Sequence, residues 1–462
     1  MIQDAVQNKQ STAPATEGIW SPRYRALTIG IILTVVGSAF EALAVATTMP
    51  ITVQELGGLS LYGWVFSAFM LTNLIGITVA GGEADRHGPA RPFILGAILF
   101  MIGLIISGLA PSMLILIAGR AVQGFGGGIL GSVVYVVVAR GYPEEAKPRM
   151  LAVLSSAWVV PGLVGPAIAG FIAEYLNWRW VFLGLAPLTP LAAVLALPAI
   201  RQLNQSVDIP RNWRRIGAAV QLAIGVGLAL AGPALGSIMV TVALVVVGII
   251  IAVPALRRLL PEGTLRLKPG LPAAIAVAGL ANLAFFGTDS FIPLMLTTLR
   301  GLSASLAGLV LTAATVTWTT GSWLQAHYAA HQSRRRIVTI GFVIMAFGIA
   351  SVMLLLLPAV PALLGPVLWG IAGLGMGLAF ATISLTVLET APKGQEGTAT
   401  SAMQLTNMLG TALGAGIGGA IVGSAEHNSQ PSAGHMLAQF GIMAAIALFG
   451  VFVARRLPGN KP

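Results

Sequence analysis

The sequence predicts an all-α polytopic membrane protein, and three observations carry that prediction. Of its 462 residues, 56% are hydrophobic and only 9% are charged, against about 25% charged in soluble domains. The apolar residues gather into runs long enough to cross a bilayer, which takes about 20 residues of helix. Lys and Arg gather in alternate loops between those runs, the bias known as positive-inside. A soluble domain of this size needs a more charged surface, and a disordered chain is poorer in apolar residues. The 56 glycines and 27 prolines sit within the apolar runs, where membrane helices tolerate them. Cysteine is absent, which excludes disulfides, thiolate nucleophiles and Cys-ligated metals. Met1 to Ser21 is polar and of mixed charge, so no cleavable signal peptide is expected.

Fourteen spans are expected. A cytoplasmic tail over 1–25 precedes an N-terminal six-helix bundle over 26–200, with spans at 26–50, 62–82, 93–110, 112–139, 150–173 and 179–199. A linker over 201–270 holds two extra spans, 216–232 and 236–256, parted at Gly232-Pro233 because the whole stretch is too long for one crossing. A C-terminal six-helix bundle over 271–456 follows, with spans at 271–297, 304–327, 337–358, 361–388, 398–423 and 436–454, and a cytoplasmic tail over 457–462. With both termini in the cytoplasm, 23 of the 26 Lys and Arg lie on that side. They include Lys9, Arg211 and Lys461 in the tails and linker, while Arg179 and Arg300 fall outside and Arg120 falls within a span. A plasma membrane, the inner one in a bacterium, is the expected location. The net charge of +11 suits contact with anionic lipid, and basic residues scattered over short loops argue against nucleic acid.

The two halves echo each other. Gly81 and its neighbours correspond to Gly321 at an offset of 240, and Gly119, Gly124 and Gly126 to Gly370, Gly375 and Gly377 at 251. Pro161, Gly165, Ala169 and Gly170 correspond to Gly410, Gly414, Gly418 and Gly419 at 249. Duplicated bundles around a midplane site are the architecture of secondary transporters. Small residues four apart let helices approach and slide, although any large membrane bundle uses them for packing.

Ionisable residues inside the bilayer cost roughly 2.5–3.5 kcal/mol each on insertion scales. Glu41 lies in the first span and Asp289 in the ninth, 248 residues apart, at matching places of the halves. A desolvated carboxyl can hold a proton near neutral pH and release it when water or a cation arrives. The plainer reading is a protonated group bonded to Thr47 or Thr288. Arg120 in the fourth span cannot be neutralised, so it needs a carboxylate or helix-end carbonyls. Gln123 shares its helix face. Arg120 beside an acid is either a coupling element or a fixed ion pair. Glu389 closes the twelfth span, where solvation is the simple expectation, and Glu174 and Arg179 are expected to form a local surface ion pair. The histidines (His87, His327, His331, His427, His435) are spread over loops and span ends, so no metal site is expected.

These residues together resemble the major facilitator superfamily, and within it the fourteen-span drug:proton antiporters. Gly81-Gly82-Glu83-Ala84-Asp85-Arg86-His87-Gly88-Pro89-Ala90-Arg91 is similar to the signature loop Gly-x-Leu-Ala-Asp-Arg-x-Gly-Arg-Lys, with Glu83 for Leu and Pro89-Ala90 for the basic pair. Gly119-Arg120-Ala121-Val122-Gln123-Gly124 resembles the fourth-helix motif, whose arginine is tied to proton coupling. Pro161-Gly162-Leu163-Val164-Gly165-Pro166-Ala167-Ile168-Ala169-Gly170 resembles the fifth-helix antiporter motif, the most specific of the set. Trp178-Arg179-Trp180-Val181-Phe182 is similar to the segment that follows it.

The resemblance implies the major facilitator fold and a cytoplasmic gate at Gly81, Asp85, Arg86, Gly88 and Arg91, with Asp85 pairing to a basic residue or helix end. It implies proton coupling through Glu41, Asp289 and Arg120, and an antiporter element at Pro161, Gly162, Gly165, Pro166 and Gly170. The function expected is proton-driven export of lipophilic or cationic small molecules such as drugs, without enzyme activity. No cofactor is expected, the proton gradient being the energy source; no GxxxxGK[ST] loop is present. Partners are a small-molecule substrate, protons and the lipid bilayer, and the chain is expected to act as a monomer. Cavity candidates are Phe66, Asn73, Gln123, Asn282, Phe286, Thr315, Trp318 and Trp323. A transporter dedicated to one metabolite, sugar or lipid is the main alternative, ahead of a channel and of a membrane-embedded enzyme.

Overall fold

A computed structural model describes residues 18–143, 145–203, 212–235, 237–328, 332–393, 395–424 and 431–458. Most of the expected N-terminal tail, with Lys9, lies outside the described residues, as do Arg211, His331, His427 and the terminal stretch with Lys461. Among the described residues all regular structure is helical. The first half comprises α1 (Arg25–Leu56), α2 (Tyr62–His87), α3 (Ala90–Gly108), α4 (Met113–Gly141), α5 (Lys147–Ile172), α6 (Arg179–Leu183) and α7 (Leu188–Gln202). Then come α8 (Trp213–Ala231) and α9 (Ile238–Leu259). The second half comprises α10 (Leu271–Asp289), α11 (Ile292–Thr298), α12 (Ala304–Tyr328), α13 (Arg334–Val352), α14 (Gly365–Thr390), α15 (Glu396–Gly423) and α16 (Ala433–Ala454).

Thirteen helical segments of the described residues are long and apolar enough to cross a membrane. The remaining expected span is α12. At 25 residues it is about 37 Å long, but Thr312, Thr315, Thr317, Thr319 and Thr320 make it more polar than the rest. Most of these threonines return their hydroxyl to a carbonyl three or four residues back, which satisfies it without water. The ninth span is broken after Asp289. Pro293 has no N–H to offer, and its ring would meet the carbonyl four residues earlier, which is that of Asp289. The helix therefore stops at the acid and restarts at Ile292.

The internal repeat is real but its register differs from the sequence reading. A Cβ on Gly128 would sit 2.1 Å from the Asn73 carbonyl oxygen, and one on Gly377 would sit 2.1 Å from that of Trp318. Gly377 follows Gly128 by 249 places, and Trp318 follows Asn73 by 245. Gly76 against Phe125 repeats as Gly321 against Leu374 in the same way. So the counterpart of Gly321 is Gly76 rather than Gly81. The matched glycines of α4 and α14 are Gly124, Gly126 and Gly128 with Gly373, Gly375 and Gly377. Sequence alone could slide these glycine rows by a few residues; backbone contact at a crossing cannot slide.

The two halves meet through a mirrored pair of seams. On one, Gly63 of α2 lies against Ala415 of α15, where an added Cβ would be 2.4 Å from the carbonyl oxygen. On the other, Gly308 of α12 lies against Pro166 of α5, with 2.5 Å for the same test. Hydrogen bonds add to the contact: Tyr62 Oη donates to the Ser290 carbonyl at 3.0 Å and Ser67 Oγ to that of Ala412 at 2.8 Å. Ser305 Oγ donates to Glu174 Oε2 at 2.8 Å, and Glu174 lies in a π-helical turn, Ala173–Asn177, that ends α5. These contacts lie toward the end of the bundle that carries Glu55 and Glu174. The inserted pair α8 and α9 covers only one seam. Ala218, Leu222, Val226 and Leu230 of α8 pack with Leu71 and Leu74 of α2 and with Leu409 and Ala412 of α15. The outer face of α9, with Ile238, Met239, Ile249 and Ile250, is exposed, as a lipid-facing helix requires.

Gly128→Val and Gly377→Val should each force a helix crossing apart, at a cost of about 1–3 kcal/mol. Gly217→Ala, where an added Cβ meets nothing within 4 Å, should be neutral or slightly stabilising. Thermal melting of the detergent-solubilised protein checks this; equal melting of Gly128→Val and wild type would contradict the packing.

Candidate functional site

Two buried acids lie at the heart of the bundle, each on the first helix of its half. Glu41 on α1 is fully buried and Asp289 at the end of α10 is 8% exposed, so neither faces lipid. Arg120 on α4 is 2% exposed. Its Nη1 donates to Glu41 Oε1, and to Gln123 Oε1 at 2.7 Å. Its Nε donates to the Val65 carbonyl at 3.2 Å, and its guanidinium carbon lies 4.2 Å from the Phe69 ring centre. The fixed cation is thus met by one carboxylate, one amide, one carbonyl and one ring face. Glu41 Oε2, Gln123 Nε2 and Thr47 Oγ1 are buried with no hydrogen-bond partner. Thr47 therefore does not bond the acid, and Thr288 spends its hydroxyl on the Ala284 carbonyl.

Asp289 is differently served. Its Oδ1 accepts from the Trp369 indole at 3.0 Å. Trp369 follows Arg120 by 249 places, so the indole stands where the other half has its guanidinium. An aromatic cluster adjoins it. Phe285 stacks on Trp369 at 4.8 Å between centres, Trp318 meets Phe285 edge-on at 5.3 Å, and Phe286 and Phe380 touch Trp318 at 6.1 and 5.8 Å. Trp369, Phe285 and Phe380 are site residues that the sequence reading missed. The sequence carried no sufficient signal for Trp369: the offset of 248 that pairs Glu41 with Asp289 and the offset of 251 read for the fourth span both miss it, and only the glycine crossings fix the register of 249 that pairs Arg120 with Trp369.

The structure brings several cavity candidates near these groups. Phe286 and Trp318 belong to the cluster; Asn282, one turn before Phe286, donates to Asn407 Oδ1 at 3.0 Å. Gln123 is on Arg120. Phe66 packs against Tyr62 instead, Asn73 borders Gly127, and Thr315 lies against Gly162. Trp323 is the exception. It is 75% exposed and sits five residues beyond Trp318, about 140° round the helix, so it points away from the cluster.

The antiporter-motif residues Pro161, Gly162, Gly165, Pro166 and Gly170 are all buried. Gly162, Pro166 and Gly170 face α12 and Gly165 faces Phe40 of α1. At the opposite end of α2, Asp85 Oδ1 accepts from Arg140 Nη2 of α4 at 2.5 Å. Gly88 ends the helix with φ of 77°, a conformation that favours glycine, and Gly81 has open space around its α-carbon. Arg86 is half-buried and Arg91 exposed; neither pairs with Asp85. In the second half Glu389, the counterpart of Arg140 by 249 places, is not merely solvated: it bonds Arg334 Nη2. The two ion pairs have opposite polarity and each stays within its own half.

At the Glu55 end, the expected Glu174–Arg179 pair does not form. Arg179 Nη1 donates to Glu55 Oε1 at 2.5 Å, its Nη2 to the Ala110 carbonyl at 3.2 Å, and Trp178 Nε1 to Glu55 Oε2 at 2.7 Å. The π-turn carries Glu174 to the other side, onto Ser305. No cluster of three or more metal-ligating side chains occurs among the described residues.

A model of the Major Facilitator Superfamily matches residues 27–415, and the chain belongs to that superfamily. It is a multi-pass membrane transporter of small molecules rather than an enzyme. Among its relatives, the multidrug transporter protein MdtP of Bacillus subtilis is 27% identical over 422 residues, 89% of this chain and 77% of MdtP. The multidrug efflux pump SdrM of Staphylococcus aureus is 24% identical over 444 residues, 94% and 98% of the two chains. A D-xylose–proton symporter has the same fold at a TM-score of 0.62 and 17% identity, over 94% of this chain and 98% of the symporter. A POT family transporter in complex with 5-aminolevulinic acid matches at 0.67 and 16%, over 94% and 96%.

Arg120→Leu should strand Glu41 in the interior and destabilise the fold by up to about 3–5 kcal/mol. The double variant Arg120→Leu with Glu41→Gln should recover most of that loss. A denaturation cycle on the four proteins checks the coupling; strictly additive effects would mean the pair does not interact.

Proposed function

We propose that this protein is a proton-coupled secondary active exporter, an antiporter of lipophilic or cationic small molecules such as drugs, working by alternating access. The observation that carries the reading is the pair of buried acids at mirrored places, each beside a group that answers to its charge. Relatives named as multidrug transporters support the substrate class. The basic loops orient the chain, with both termini in the cytoplasm of a plasma (bacterial inner) membrane. In that orientation the mirrored seams lie at the outer end, and the Asp85–Arg140 and Arg334–Glu389 pairs, each within its own half, lie at the cytoplasmic end. Residues 26–200 and 271–456 move as the two rocking bodies, 201–270 rides on one seam, and the chain acts alone.

In this scheme substrate enters from the cytoplasm or inner leaflet, against the faces of Asn282, Phe286 and Trp318. The seams then part at the outer end, where glycine crossings let α5 slide on α12 and α2 on α15. A proton from outside loads Glu41 or Asp289 and resets the transporter. Loss of negative charge on Glu41 removes the partner of Arg120, so the cation must find other acceptors, and that coupling is the switch. Asp85 with Arg140, together with Gly81, Arg86, Gly88 and Arg91, forms the cytoplasmic gate. One proton falling through ~100 mV contributes about 2.3 kcal/mol, and one pH unit adds about 1.4 kcal/mol. Roughly 3.7 kcal/mol sustains a substrate gradient of several hundredfold.

Sealed vesicles holding the purified protein, with an imposed pH gradient and a dye such as ethidium, test this. Wild type should move dye against its gradient and stop when a protonophore is added, and Glu41→Gln and Asp289→Asn should each cut the coupled flux at least about tenfold. Undiminished flux in both variants would refute the carrier assignment.

A further inference from the structure

Where the inserted helices join the second half, the chain gathers basic residues that no acid answers. Arg257 and Arg258 lie in the last turn of α9, Arg266 and Lys268 in the connection to α10, and Arg455 and Arg456 just beyond α16. All six are exposed. Among the described residues no carboxylate pairs with any of them, and Glu262, the one acid of the connection, is exposed with no basic partner. Other basic groups at this end of the bundle are matched, Arg140 by Asp85 and Arg334 by Glu389.

The connection is a built joint. Thr264 N–H donates to the Pro261 carbonyl at 3.2 Å, and the N–H groups of Arg266 and Lys268 both donate to that of Gly263 at 3.0 Å, so the segment folds on itself. Gly263 has φ of 90°, and an added Cβ there would lie 2.5 Å from Lys268 Cδ, so the lysine stem crosses over it. Leu260 and Thr264 are buried. Arg456 Nη1 donates to the carbonyls of Leu267 at 2.8 Å and Arg266 at 3.3 Å, and Gly270 N–H donates to the Arg456 carbonyl at 3.2 Å. These bonds hold Leu267 at φ of 52°, the one positive φ outside glycine among the described residues, a conformation that persists where its surroundings impose it. Arg266 and Lys268 are thereby kept beside the ends of α9 and α16. The adjoining wall is apolar. Val246, Ile250, Pro254 and Arg257 share one exposed face of α9 at spacings of four, four and three residues, opposite Gly248, Ala252 and Ala255, which pack toward α8. The apolar stripe thus runs directly into the basic cluster.

We propose that this joint is a binding site for an anionic phospholipid, whose phosphodiester is met by Arg257, Arg258, Arg266 and Lys268 while its acyl chains lie along the face of Val246, Ile250 and Pro254. Arg456 is a positioning residue, since it fixes the joint through the carbonyls of Arg266 and Leu267. Guanidinium groups meet phosphate oxygens with paired N–H donors, and each Lys or Arg near an anionic membrane surface adds to the attraction. An amphiphile uses both parts of the surface, the charged joint and the apolar stripe; a free phosphate uses one. The bound lipid spans α9 and the joint, and so anchors the inserted pair to the second half. The proposal rests on the exporter reading only for the leaflet, the inner one, which the basic loops assign.

The test is native mass spectrometry of the full chain, titrated in detergent with phosphatidylglycerol, with zwitterionic phosphatidylcholine and with glycerol 3-phosphate, which carries the anion without the chains. Wild type should hold phosphatidylglycerol about tenfold or more tightly than phosphatidylcholine, and glycerol 3-phosphate should not displace it. The triple variant Arg257→Gln, Arg258→Gln, Arg266→Gln should lose that preference. A control that removes three exposed charges elsewhere on the same side, Arg149→Gln, Arg201→Gln, Arg335→Gln, should change it by less than about threefold. Replacing the first three by Lys should retain most of it, and melting curves establish that each variant is folded. Equal loss in the two Gln variants would overturn the site, because the lipid would then answer to net charge anywhere on that side. A wild type with no preference for phosphatidylglycerol, a comparison that needs no variant, would overturn it too. So would release of the lipid by glycerol 3-phosphate at equal concentration, since the phosphate alone would then be the ligand. Lipid held as expected by a protein that moves no dye under a pH gradient would refute the exporter reading and leave this site standing.

Discussion

An ionised group in a hydrocarbon interior must be paired or neutral, because no water is there to solvate it. That constraint organises this molecule around the Glu41–Arg120 contact. Arg120 keeps its charge at all accessible pH values, so a carboxylate, an amide, a carbonyl and a ring are gathered round it from α1, α2 and α4. The glycines on α4 follow from the same need. With Gly124 and Gly128 pressed on α2 and Gly126 on α3, α4 comes close enough for its arginine to reach its partners. A broken pair costs more than a replaced one. Protonation of a single buried acid is therefore a strong perturbation, whereas the same event at the solvated Asp85–Arg140 pair is a mild one.

Duplication supplies the second organising fact. The same framework of glycine crossings recurs in both halves, yet the chemistry on it has diverged. Arg120 has become Trp369, and the polarity of Arg140 has become that of Glu389. Fold and packing bind the backbone to its symmetry, since a Cβ at Gly377 is as intolerable as one at Gly128. Side chains pointing into the centre or into solvent carry no such restriction. Symmetry therefore serves motion, two like halves meeting at two like seams, while asymmetry serves chemistry. The inserted helices α8 and α9 add to the asymmetry by lying over the α2–α15 seam.

Much of this was legible in the chain. The spans, the two acids, Arg120 and the fifth-helix motif could be found because each is a sharp departure from background: a charge in an apolar run, or a proline and glycine row at regular spacing. Trp318 and Phe286 fell within the aromatic cluster, but Trp323 did not, because a residue's facing depends on helical phase relative to neighbours five residues away. Glu174 shows the same limit at shorter range. A single π-turn rotated it away from Arg179 and onto Ser305, and Arg179 took Glu55 from 124 residues earlier.

Composition and order thus determined, without any coordinates, that this chain crosses a membrane many times, repeats itself and carries charge in the interior, because hydrophobicity and desolvation act on each residue wherever it lies. Which charge meets which partner was decided only by the packed helices. Pairing needs two side chains within a few ångströms, and in this bundle the distance is fixed by crossings of glycine on backbone far along the chain. Hence the sequence marked Glu41 and Asp289 as equals, and the tertiary structure made one of them the mate of a built-in cation and gave the other a neutral indole N–H.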